Sequence, residues 1–326
     1  MTVELSPTST DSRRAMAGRL LSRYGILLAF IILFVVLSFA HQNFLSTGNI
    51  TNVLRQVSIN GILAVGMTFV ILTGGIDLSI GSVLAFAGIV AGMLVTGADP
   101  SNPALALLAA VGVGAAFGAV NGVLIARFKV TAFVASLGML SMARGATLLI
   151  SDGRPVPNLS AEFRWLGQGF VGPIPVPVIA FAIVFLLAWI VLRFTVYGRW
   201  IYAVGGNVRS ARTSGIPTRT VVFSAYLIMG ALAGFAGAIL TARTTSALPQ
   251  AGLGYELDAI AAVVIGGTSL VGGVGSVVFT LIGVLIIGVI GNGLDLMGVS
   301  SYYQQIVKGA IIVAAVLIDR SRNSQS

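Results

Sequence analysis

Residues 259–294 read AIAAVVIGGTSLVGGVGSVVFTLIGVLIIGVIGNGL, 36 positions without one Asp, Glu, Lys or Arg. A helix crossing about 30 Å of hydrocarbon needs roughly 20 residues. The run is too long for one crossing, and the glycine-rich IGGTSLVGGVGS (265–276) interrupts it. It therefore reads as two membrane segments joined by a break. Four further stretches, 78–98, 100–126, 165–192 and 220–242, are equally free of charge. In the whole chain only 29 of 326 residues are charged, 56% are hydrophobic and 41 are Gly. A soluble domain carries near 25% charge, so too few polar residues are present to coat one. Disorder needs low hydrophobicity, which is the opposite of this composition. A transmembrane β-barrel alternates in segments of about ten residues, and these apolar runs are longer and unbroken. The expected fold is all-α: a polytopic helical membrane protein.

Hydropathy in and around the gaps gives about ten transmembrane helices, near 24–41, 57–74, 79–97, 104–125, 130–150, 176–193, 221–241, 257–272, 275–292 and 302–318. Ten crossings put both termini on one side, and basic residues choose that side. Thirteen fall in the segments that are inner if the N-terminus is cytoplasmic: Arg13, Arg14, Arg19, Arg23, Arg127, Lys129, Arg193, Arg199, Arg209, Arg212, Arg219, Arg320 and Arg322. Four fall outside: Arg55, Arg154, Arg164 and Arg243. This is the positive-inside bias, and it makes both termini cytoplasmic. It also accounts for the net charge of +9 without nucleic acid as a partner. Residues 1–23 then form a cytoplasmic N-terminal tail with 1–12 unstructured, 24–318 the permeating domain, and 319–326 a cytoplasmic C-terminal tail. Ser38-Phe39-Ala40 resembles a signal-peptide cleavage site, but the preceding apolar run is long for that role, and 24–41 reads as a true span. The outer loop at about 151–175 has four prolines and reads as a structured cap at most. Tyr197 and Tyr202 fall near an inner boundary, where aromatic residues form a belt.

Catalysis finds no support. Cys is absent and His41 is alone, so no thiolate nucleophile, His-cluster metal site or other metal centre is expected. The lysines are Lys129, followed by Val, and Lys308, followed by Gly, and neither completes the G-x-x-x-x-G-K-[ST] loop needed to bind ATP. Active transport would need a partner for energy. A standalone ion-coupled carrier or a channel for a small polar solute is the alternative, although Asp77 is the one carboxylate that reads as intramembrane. Arg144 and Lys308 lie within spans and read as snorkelling, structural cations. Glu256 and Asp258 flank the outer start of the eighth span, two apart and so on different sides of a helix.

Two glycine-rich breaks, TGGIDLSIGS (73–82) and 265–276, sit on the inner side without Lys or Arg. Non-helical backbone at membrane depth is tolerated where it is buried or lines a wet cavity. Each break is either a tight hairpin with Gly caps or part of a solute path. Asp77 in the first break either caps the next helix or faces the path. The small-residue run GVGAAFGAVNG (112–122) suits close helix packing. Between the sixth and seventh spans, 195–220 carries Arg199, Arg209, Arg212 and Arg219 and no acid. Asn207 is placed to cap a short helix over about 207–214 that Gly215 and Pro217 stop. Such a helix suits docking to a cytosolic protein, or the loop lies on anionic lipid.

AVGMTFVILTGGIDLSIGSVLA (64–85), YAVGGNVRSARTSGI (202–216), GYELDAIAAVVIGGTSLVGGVGS (254–276) and NGLDLMGVSSYYQQIVKGAIIVAAVLID (292–319) together resemble the permease subunits of bacterial ATP-binding-cassette importers for monosaccharides, the ribose permease type. The likeness covers roughly 20–320. It implies a multi-pass protein of the bacterial inner membrane that moves a monosaccharide by alternating access. It implies a second permease copy, as a homodimer or with a close paralogue, a cytosolic ATPase and a periplasmic sugar-binding protein, besides membrane lipid. This chain would hold no cofactor; ATP and Mg would be bound by the ATPase. By this resemblance Gly205, Gly206, Asn207, Arg209, Arg212, Ser214, Gly215 and Ile216 couple to the ATPase. A neutral sugar needs hydroxyl partners and apolar ring contacts, and depth alone makes Asn60, Thr68, Asp77, Asn121, Phe133, Ser136 and Thr268 the path candidates.

Overall fold

The computed structural model describes residues 9–323. The side chains of Arg13, Arg14, Arg19, Arg23, Arg320 and Arg322, in or beside the expected tails, lie outside the described residues, as do 1–8 and 324–326 altogether. The elements are α1 Ser9–Ala40, α2 Thr47–Leu72, α3 Ile80–Leu94, α4 Pro103–Ala126, α5 Ala132–Ser151, α6 Ala161–Gln168, α7 Val176–Phe194, α8 Val196–Gly206, α9 Val208–Thr213, α10 Thr218–Thr244, α11 Tyr255–Ile265, α12 Val277–Leu296 and α13 Ser301–Asn323. Among the described residues the only sheet is a two-residue hairpin, Phe170–Val171 with Ile174–Pro175. Six helices, α2, α4, α5, α7, α10 and α12, are long and apolar enough to cross a membrane. The chain is an all-α polytopic membrane protein.

Helix α2 is the axle. Every residue from Val57 to Leu72 is buried, in keeping with an apolar run that has no polar face. It begins ten residues before the expected span, because Ser46 caps it by accepting from the Asn49 amide, and Asn49 and Asn292 exchange side-chain hydrogen bonds. Helix α10 packs beside it. The most extensive helix pairing in the bundle is α10 on α4, where Gly114 and Gly118 face Gly230 and Gly234 backbone to backbone. Without water to drive association, such small-residue faces let helices meet in lipid. A Cβ on Gly118 would strike the Tyr226 carbonyl and the Gly230 backbone, whereas one on Gly112 would meet nothing within 4 Å. Gly118→Leu should therefore lower unfolding stability by about 3 kcal/mol through overpacking, and Gly112→Leu by under about 0.5 kcal/mol. Denaturant titration of the two variants side by side checks the contrast. Helices α4, α5 and α7 turn Leu105, Leu108, Leu137, Leu149, Ile183 and Leu187 outward, as lipid-facing helices do.

Two expected spans are not continuous helices. In the segment 257–272 helix ends at Ile265: α11 has 11 residues and rises only about 16 Å. It stops because Gly266 and Gly267 follow, with Gly267 at φ +81, a conformation that suits Gly at a helix end. Likewise α3 has 15 residues and rises about 22 Å. Non-helical backbone precedes each: 73–79 before α3, and 245–254 before α11. The 245–254 loop turns back into the bundle, so that Gly252 packs on Gly81 in the first turn of α3. Arg144, expected to snorkel outward, instead points its guanidinium at this loop and donates to the Pro249 and Ala251 carbonyls. The 151–175 cap holds α6 and the hairpin, and is tied to the loop by pairing of Val156 with Ala247.

Candidate functional site

Two places hold the chemistry, at opposite ends of α12. The first is built on α8 and α9. Thr195 starts α8 by accepting from the Gly198 amide at 3.1 Å; α8 itself was not legible as a helix, because its segment was read as a basic loop. Asn207 sits at φ −160, ψ 105 between α8 and α9, and its Oδ1 accepts from the Ser210 amide at 3.0 Å. Gly215, at φ +81, and Pro217 follow the end of α9. Of residues 206–215 only Ala211 is buried. Gly206, Asn207, Arg209, Arg212, Ser214 and Gly215 thus form one exposed knob, with Ile216 half-buried at its base.

At the base of this knob the Gly205-Gly206 end of α8 rests on the end of α2 and on the second glycine-rich break, and the two breaks touch each other. The Gly273 amide donates to the Leu72 carbonyl at 3.0 Å. Gly205 lies against that same carbonyl and against Gly273, Gly272 lies against Gly74, and Gly273 lies against Gly206. Three chain segments thus touch through bare backbone, which explains the clustering of glycine better than turn-making alone. Gly272 and Gly273 also adopt φ +97 and +74, which side-chain-bearing residues rarely tolerate. Tyr202 donates from its hydroxyl to the Gly275 carbonyl at 3.2 Å, and the Tyr197 hydroxyl pairs with Ser224 at 2.7 Å. Burial pushes both phenols above the ordinary tyrosine range, so both hydroxyls stay protonated. These tyrosines bolt α8 to the second break and to α10.

The path candidates fall in several places. Asp77 and Asn121 do meet: Asp77 Oδ1 accepts from the Ser79 amide at 2.9 Å and its hydroxyl at 2.6 Å, and Asn121 Nδ2 reaches Ser79 Oγ at 3.1 Å. This closes a turn over 77–79, directly before α3. The Ile76 carbonyl in the same break accepts from the Tyr226 hydroxyl at 3.2 Å. Thr68 pairs with Thr280 at 3.1 Å. Asn60 and Thr268 are buried, with Asn60 Oδ1 and Thr268 Oγ1 lacking a hydrogen-bond partner among the described residues. Ser136 is buried on α5, and Phe133, 58% exposed, points out of the fold.

The second place lies at the far end of α12 and was missed in the sequence. A cavity of about 660 Å³ is lined by Asp258, Asp295, Ser301, Gln304, Gln305 and Lys308, with Leu253, Leu257 and Ile312 as apolar wall. Lys308 Nζ and Asp258 Oδ2 form an ion pair at 2.8 Å, and Gln304 Nε2 donates to Asp295 at 2.7 Å. Asp258 is buried, and an ionisable residue there is costly unless paired. The available signal was Lys308, the lone charge of residues 296–318, in need of a partner. A concave, partly apolar site with convergent polar groups is of the size that holds small solutes.

Comparisons with known proteins agree on the class. A family described as "Branched-chain amino acid transport system / permease component" matches residues 49–316. The ribose import permease protein RbsC of Bacillus subtilis strain 168 is 48% identical over 318 residues, covering 97% of this chain and 98% of that protein. The protein of the same name in Escherichia coli K12 is 47% identical over 98% of this chain and all of its own length. The D-allose transport system permease protein AlsC of Escherichia coli K12 is 42% identical over 91% of each. No solved structure matches. With more than three quarters of its length inside the family match and near-complete alignment to these relatives, the chain belongs to the branched-chain amino acid transport system / permease component family.

Proposed function

We propose that the chain is the membrane subunit of an ATP-driven importer for a monosaccharide, ribose or a close relative, in the bacterial inner membrane. The observation that carries it is the Gly205-Gly206 end of α8, at the base of the α9 knob, seated by bare backbone on the end of α2 and on the second glycine-rich break, which itself touches the first. A push on the knob reaches the ends of α2 and the second break directly, with no flexible side chains between. In this reading the chain crosses the membrane ten times with both termini cytoplasmic, and α3 and α11 cross with the help of their extended partners. The knob docks on a cytosolic ATPase, which binds ATP and Mg; this chain is non-catalytic and carries no cofactor. A second permease copy pairs with it, and a periplasmic binding protein delivers sugar at the end where Asp258, Asp295, Gln304 and Lys308 gather. The polar groups there can exchange hydrogen bonds with sugar hydroxyls while the apolar wall meets the ring. ATP binding closes the ATPase, the knobs move together, and access alternates.

The relatives' names support sugar over amino acid as substrate. In proteoliposomes, uptake of ribose should require the cognate ATPase, ATP and the binding protein together. Accumulation of a branched-chain amino acid in place of any pentose or hexose would contradict the substrate class. Accumulation driven by an ion gradient with this chain alone would contradict the energy source.

A further inference from the structure

A cavity of about 360 Å³ opens where the 127–131 turn, α9 and the start of α10 meet. Lys129, Arg212 and Arg219 line it together with Thr73 and Thr218, and none of its lining residues is acidic. Among the described residues the one ion pair is Lys308 with Asp258, so the three cations stand without a carboxylate. Like charges around one small concavity repel, and a bound anion relieves that repulsion. The turn also holds Lys129 at φ +58, a left-handed conformation uncommon for a residue with a side chain. The N-terminal end of the 27-residue α10 adds its own positive partial charge to the same rim. A second cavity of about 220 Å³ shares Ala126 and Arg219 and extends past Val123 and Phe223, adding Arg127. It continues the cation cluster as a partly apolar track between α4 and α10.

The geometry points to a phosphate-binding site formed by Lys129, Arg212 and Arg219. The ligand class is a phosphate ester. An anionic phospholipid uses both parts, its headgroup on the cations and an acyl chain in the track; a free phosphate ester uses the cations alone. Placing that lipid in the inner leaflet rests on the orientation proposed above, while the cation cluster does not. Binding is measured on the chain alone, so failure of the transport reading would leave this result unaffected.

The full-length chain in neutral detergent is titrated with dioleoyl phosphatidylglycerol, dioleoyl phosphatidylcholine and inorganic phosphate, and the melting midpoint is followed. Phosphatidylglycerol should raise the midpoint and phosphatidylcholine should not. Lys129→Gln with Arg219→Gln should weaken apparent affinity about tenfold or more. A response to phosphatidylglycerol alone assigns a lipid headgroup; a matching response to inorganic phosphate assigns the free phosphate group. A measurement that needs no variant uses the two lysines of the chain: bound probe should slow amine labelling of Lys129 and leave Lys308 unchanged. No response to either anion, no protection of Lys129, or unaltered binding by the double variant overturns the site. Normal anion binding in the double variant with loss of ATPase association would instead assign the cations to acidic side chains of that partner.

Discussion

Gly205→Val should abolish transport and destabilise the fold, while Gly206→Val, one residue on, should leave the fold intact. A Cβ on Gly205 would collide with the Leu72 carbonyl and the Gly273 amide, which are bonded to each other at 3.0 Å. Both are backbone atoms, so relief requires moving α8 away from α2 or breaking that hydrogen bond. Overpacking of this kind costs about 1–3 kcal/mol, and the lost bond adds about 1 kcal/mol. A total near 3 kcal/mol is a large share of the stability of an ordinary domain. At Gly206 a Cβ meets nothing within 4 Å, and the expected change is under about 1 kcal/mol. Thermal and denaturant midpoints of the two purified variants give the comparison. Equal stability would mean that α8 does not rest on α2 through backbone.

Lys308→Ala should be the most damaging single change at the far end of α12. It leaves Asp258, 5% exposed, without its 2.8 Å partner. Lys308 is 30% exposed, so its removal costs less than the about 3–5 kcal/mol of a fully buried pair, on the order of 2 kcal/mol, because the remaining charge is uncompensated, whereas replacing both with uncharged groups is often close to neutral. Lys308→Met with Asp258→Asn should therefore regain most of the stability lost in the single variant. If the pair also serves the solute, the double variant folds yet transports sugar poorly even when substrate is saturating. Full transport by the double variant would confine the pair to a structural role. Equal loss of stability in single and double variants would mean that the cost lies in packing and not in charge.

The apolar helices were legible because their signal is length without charge: α4, α7 and α12 lie within a few residues of the spans read from hydropathy. Asn207, Gly215 and Pro217 announced α9 through capping chemistry, which is local. What escaped was long-range. Hydropathy counts residues and cannot see that 257–272 is about half helix and half glycine-rich turns. The 245–254 loop turns inward because Gly252 fits Gly81 and Arg144 binds its carbonyls, and neither relation is visible along the chain. Asp258 and Lys308 are 50 positions apart, so the cavity they share exists only once α11 and α13 are side by side. The breaks were visible as glycine, but not their contact with Gly205, since a position needed for its lack of a side chain looks the same as one needed for a turn.

The central claim is that the α9 knob passes work from the ATPase to the glycine-rich breaks. Gly206→Trp tests it most directly, because the site is open, the knob becomes bulky and the fold remains. Sugar uptake and ATP hydrolysis are measured in the same vesicles holding permease, ATPase and binding protein. The variant should insert and melt like the parent, and ATP hydrolysis should continue while uptake falls about tenfold or more. Parental uptake by a folded Gly206→Trp variant would contradict the coupling role of α9.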